Sequence, residues 1–133
     1  MYESEGEIIY TNEQLYEAMG DAKITIALPR SITQPKVAGN IETLTQRYWE
    51  CMLSRMVMVG HAPMELTELI GYNPVIELER EHAPKQIHYI LTHIEDYQYL
   101  VDRNHKTAMQ LGDWTQRIQD VMAWMREIGY SPL

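Results

Sequence analysis

The chain contains no phenylalanine, a single cysteine, and no apolar run longer than five residues, Val121 to Met125. One thiol, Cys51, cannot close an internal disulfide, which fits a reducing compartment. No histidine stands near it in sequence, so it reads as a small apolar residue and not as a nucleophile. A bilayer-spanning helix needs roughly 20 consecutive apolar residues, far more than any run here. The opening Met-Tyr-Glu-Ser-Glu-Gly-Glu is acidic where a secretory signal is basic and then apolar. With no export or anchoring signal read, the expected location is cytoplasmic.

Catalytic signatures are missing as well. No Gly-x-Ser-x-Gly, Gly-x-Gly-x-x-Gly or phosphate-binding Gly-Lys-Ser/Thr element is present. Ser4, Ser31, Ser54 and Ser131 lack the histidine or glycine setting of a nucleophile. Basic residues are scarce too, 11 Lys and Arg against 19 Asp and Glu, for a formal charge of −8. The excess is uneven: residues 1–21 carry −6, residues 22–60 carry +3, and residues 61–133 carry −5. An acidic surface repels phosphate backbones and anionic lipid, so nucleic acid and membrane are unfavourable partners.

What is present is length for one domain and punctuation that divides it. The 133 residues suit a single core, and 45% apolar content suits a folded chain. Three regions are expected: a strand–helix–strand over 1–28, an extended loop or arm over 29–40, and a helical bundle over 41–129. Glu7 to Tyr10 is β-prone. Thr11-Asn12-Glu13-Gln14 has capping-box form ahead of a short helix that carries Leu15 and Met19 on one face and stops at Gly20. Lys23 to Leu28 alternates as a strand does, and its pairing with the first strand is open to either direction. Two prolines, a glycine and a basic bias mark 29–40 as a contact element, with Arg30 and Lys36 as its charged residues.

Beyond Asn40, Ile41, Leu44, Tyr48, Met52, Met56 and Val59 recur at helical spacing, which predicts one helix from Ile41 to Val59. Pro63 opens a second helix that ends at Gly71. Asn73-Pro74 opens a third piece, Val75 to Glu81, read as helix although Ile76 and Leu78 alternate with acids as in a strand. Pro84 starts the longest helix, expected to reach at least Asp102. Asp113 caps the last, with the stripe Trp114, Ile118, Val121, Met125 and Ile128. The fold class is therefore α+β, predominantly α-helical: a compact bundle of about five helices with a small N-terminal strand pair.

Three constellations invite chemistry. Residues 63–81 have helix–turn–helix proportions, but Glu77, Glu79 and Glu81 face a polyanion with only Arg80 to answer it. Glu79 and His82 have Glu-x-x-His metal-ligand spacing, without the second such pair that a di-iron bundle needs. Glu65 and Glu68 form a Glu-x-x-Glu pair. That pair resembles a fragment of the all-helical nucleotide pyrophosphohydrolases of the MazG type. The resemblance implies magnesium held with a Glu-x-x-Asp on a later helix; here His93-Ile94-Glu95-Asp96 puts histidine where glutamate is required.

Nine tyrosines and three tryptophans remain, residues suited to apolar surface that stays wet. The last helix is apolar beyond one face, through Met122 and Trp124. The expectation is a non-catalytic interaction or assembly subunit with no cofactor and no metal site. It would bind a protein partner or itself through Arg30, Lys36, Trp114, Trp124 and Met125. The alternatives are a magnesium-dependent nucleotide pyrophosphohydrolase using Glu65 and Glu68, with Glu79 and His82 as a weaker metal pair, or a protein that sequesters a small nucleotide.

Overall fold

The computed structural model describes residues 11–130. Its elements in chain order are α1 (Asn12–Asp21), β1 (Ile24–Ala27), α2 (Arg30–Thr33), α3 (Pro35–Ala38), α4 (Gln46–Leu53) and β2 (Val57–Gly60). They continue with α5 (Met64–Ile70), β3 (Val75–Glu77), α6 (Ala83–Thr92), α7 (Gln98–Leu111) and α8 (Trp114–Glu127). Short 3-10 turns at Arg80–His82 and Ile94–Tyr97 precede α6 and α7. The protein is mostly helical around one three-stranded parallel sheet of order β1-β2-β3. The described residues contain eight helices where about five were expected.

The sheet explains the arrangement of everything else. Parallel neighbours require crossover connections, and here α4 lies between β1 and β2, and α5 between β2 and β3. All four residues of β2 are buried, as expected of a central strand covered on both faces. Met58 joins a cluster with Met19 of α1, Tyr48, Cys51 and Met52 of α4, Leu66 of α5 and Ala108 of α7. Val57 and Val59 point the other way, to Ile90 of α6 and Val101 of α7. Two apolar cores thus flank one strand, and α7 contributes to both. Between them Asn104 is buried, its amide donating to the Pro74 carbonyl at 3.0 Å and its oxygen accepting from the Tyr72 hydroxyl at 2.9 Å.

Several expectations need correction. The helix read over Ile41–Val59 is helical only over Gln46–Leu53; Val57–Gly60 is the central strand, and Ile41 is 73% exposed. The period continues through Met56 and Val59, but the chain turns at Ser54-Arg55, where Arg55 takes φ 57° in place of the glycine that would mark a stop. Val75–Glu77 is strand β3, with one 3-10 turn at Arg80–His82, so the helix read over Val75–Glu81 does not form. The long helix from Pro84 breaks at His93. There the Thr92 hydroxyl donates to the His88 and Tyr89 carbonyls at 3.0 Å, and the His93 ring nitrogen Nδ1 lies 2.9 Å from the Tyr89 carbonyl, which competes with helical bonding. Residues 29–40 are not an extended arm, since α2 and α3 occupy most of them.

Other readings stand. Thr11 and Gln14 form the reciprocal capping box of α1. Pro63 precedes α5, Gly71 ends it in the left-handed region, and Asp113 accepts from the Thr115 amide to cap α8. The strand read at Glu7–Tyr10 lies outside the described residues, and β1 pairs with β2.

Candidate functional site

The carboxyl ends of the three strands converge on His61, the residue after β2. Its Nε2 lies 2.8 Å from a Glu42 carboxylate oxygen, and its Nδ1 lies 2.9 Å from a Glu77 carboxylate oxygen at the end of β3. The backbone fixes the imidazole from beneath: the His61 amide donates to the Ala27 carbonyl at 2.9 Å, and the Tyr48 hydroxyl donates to the His61 carbonyl at 2.8 Å. Gly60 permits this approach. A β-carbon there would stand 1.9 Å from the Ala27 carbonyl oxygen, and its φ of 156° favours glycine. The second Glu42 oxygen accepts from the Met64 amide at 3.2 Å, while Glu65 accepts from the Leu44 amide at 3.3 Å. These bonds tie the segment before α4 to the start of α5.

Charge follows from that geometry. Partial burial pulls the His61 pKa down, but hydrogen bonds and attraction from Glu77, then Glu42, outweigh it and raise the value above that of ordinary histidine. The imidazolium form is thus favoured, donating from both nitrogens into flanking carboxylates. Burial chiefly, and next the Glu42 charge, push the Tyr48 phenol up to about 12, so it stays a hydrogen-bond donor at neutral pH. Beside the cluster, a cavity of about 390 Å³ is lined by Asn40, Glu42, Met64, Glu65 and Glu68.

The residues singled out from sequence fall in several places. Glu65 and Glu68 share that cavity wall with Glu42. Glu79 and His82 line another hollow with Lys85, Gln86 and Tyr89, near the end of β3. Among the described residues no group of three or more His, Cys, Asp or Glu side chains is placed to hold a metal ion. Arg30 starts α2, exposed, beside a hollow lined by Val37, Ala38 and Ile41; Lys36 is exposed on α3. Trp114, Trp124 and Met125 belong to α8, which buries none of its residues. Trp114 is 72% and Trp124 59% exposed. Trp114 also borders a cleft of about 670 Å³ with Leu44, Trp49, Leu53 and Leu111. Cys51 is fully buried, and burial raises its pKa, the opposite of an activated thiol.

Sequence reasoning missed Glu42, His61 and Glu77. Only His61 had a local signal, in Val57-Met58-Val59-Gly60-His61, a short apolar run ending in glycine and a polar residue, which is how a buried parallel strand delivers a side chain to a site. No helix among the described residues is long and apolar enough to cross a membrane. No protein-family model, curated protein or solved structure matches this chain.

Proposed function

We propose that this protein is a non-catalytic assembly module that associates through α8. One observation carries the reading: a 14-residue helix and its C-cap hold Trp114, Ile118, Val121, Trp124 and Ile128 in water, and the helix buries none of its residues. An isolated helix of that length is marginal, and most helices gain stability by packing an apolar stripe. A stripe this large without cover is the mark of an interaction surface. The acidic surface elsewhere supports selectivity for a protein over nucleic acid. The test is the native mass of the purified chain against Trp124→Asp. The expected result is an assembly that the substitution dissolves; a chain that is monomeric at every concentration and retains no partner sinks the proposal.

A second reading, a small-molecule site, is favoured by the Glu42–His61–Glu77 cluster. In open parallel sheets ligands gather beyond the carboxyl ends of the strands, where this cluster lies. The neighbouring wall of Glu42, Glu65 and Glu68 suits hydroxyl-rich or cationic molecules better than bare phosphates. A nucleotide, sequestered or hydrolysed, would need a cation between its phosphates and these acids. The MazG-type resemblance also implied an all-helical fold, and the parallel sheet departs from that. Thermal-shift screening of polyols, polyamines and nucleotides with magnesium, against His61→Gln, separates these ligands. No shift with any of them removes the site.

A further inference from the structure

Granted that α8 is an assembly surface, its own spacing identifies what covers it. At 3.6 residues per turn, Trp114, Ile118, Val121, Met125 and Ile128 form one narrow stripe with alternating steps of four and three, the seam of a two-helix coiled coil. No charged residue interrupts it. The charges elsewhere on α8 are Arg117, Asp120, Arg126 and Glu127, which sum to zero, so a second α8 meets no net repulsion despite the acidic molecule behind it.

We infer that two copies of this chain pair their α8 helices antiparallel, Trp114 of each against Met125 of the other, and Ile118 against Val121. Seam residues of antiparallel helices alternate in layers, and two registers satisfy that alternation while covering four seam residues of each helix. One sets Ile118 against Ile128 and leaves Trp114 uncovered. The other covers Trp114, the most exposed residue of the stripe, and sets the large indole against a flexible thioether, a favourable contact. In this register Ile128 of the second copy lies one turn beyond Trp114, the residue through which α8 borders the cleft that Trp49, Leu53 and Leu111 also line. The interface thereby extends from the helices into a ready hollow. Trp124 of the second copy flanks Arg117, whose guanidinium is already held by two bonds to the Leu111 carbonyl at 2.8 and 3.1 Å. That arrangement suits a cation–π contact. At 72% and 59% exposure the two indoles alone supply up to roughly 300 Å² per chain. That is over a third of the roughly 800 Å² a partner contributes to a standard interface.

The test is sedimentation of the full chain across a concentration series, with Ile118→Asp beside it. The expected result is a reversible dimer that Ile118→Asp shifts to monomer, with the helix content and melting midpoint of the unsubstituted chain diluted to monomer, because Ile118 is exposed in the single chain. Orientation is read by mixing Ile118→Cys and Val121→Cys proteins under mild oxidation; the native Cys51 is buried and does not compete. Antiparallel pairing yields the mixed disulfide in excess, whereas parallel pairing joins each cysteine to its own counterpart and overturns the proposed register. A dimer indifferent to Ile118→Asp overturns the use of α8. A chain that stays monomeric, while Trp124→Asp releases a different co-purifying protein, overturns self-pairing and leaves the broader assembly reading intact.

Discussion

His61 is held by two carboxylates from different parts of the chain, one before α4 and one at the end of β3. Its raised pKa makes stability depend on pH in a definite direction. Below the unfolded value of about 6.5 the imidazolium is present in both states, and the cluster contributes fully. As pH rises through the folded-state pKa the proton is lost and the contribution goes with it. The melting midpoint of the native chain should therefore fall relative to His61→Gln between slightly acid and mildly alkaline pH, and parallel pH profiles for the two would refute the ion pairs. Because these side chains are partly exposed, the difference should be modest.

Two glycines give a sharper contrast. Gly60→Ala puts a methyl into the Ala27 carbonyl and should cost at least about 3 kcal/mol by prising β1 from β2. Gly20, on α1, has nothing within 4 Å, so Gly20→Ala should stabilise by roughly 0.5–1 kcal/mol. Denaturant unfolding of both variants checks the pair, and similar midpoints would mean that Gly60 does not approach β1 so closely.

Among elements, β2 matters most and was least legible. Met56 and Val59 extend the helical spacing of Tyr48 and Met52, so periodicity alone runs straight through the turn at Arg55. A four-residue strand buried on both faces has no alternation to betray it, and short apolar runs are ambiguous by nature. Elements with explicit chemistry at their ends fared better. The capping box of α1, the proline and glycine bracketing α5, and the Asp113 cap of α8 were all readable, because each satisfies backbone groups locally. The candidate site was legible at most at His61, for a related reason: Glu42 and Glu77 meet it only through the strand order, which no local pattern encodes. The placement of β2 makes its own prediction. Met58→Ala removes a side chain from the core that joins α1, α4, α5 and α7, and should cost about 2–5 kcal/mol. Met122→Ala on α8 should stay within about 0.5 kcal/mol. Equal costs in thermal or denaturant unfolding would contradict a buried central strand.

At the scale of the molecule, the chain divides into a doubly covered sheet and a terminal helix, α8, that buries none of its residues. Local opening free energies follow burial, so the two parts should exchange amide hydrogens on different scales. Protection should be greatest along Val57–Gly60, whose residues are all buried and bonded to strands on either side. In dilute protein α8 should exchange nearly as an isolated helix does, because it buries none of its residues and is tied mainly by the Arg117 bonds to the Leu111 carbonyl and the Asp113 cap. Raising the concentration should then protect Trp114–Glu127 selectively while β2 is unchanged, since association adds contacts to the helix and none to the sheet. Exchange measured by mass spectrometry at two concentrations separates the cases: protection of α8 that is already high in dilute protein would mean the helix is stabilised within one chain, and protection that never rises would remove it as an interface.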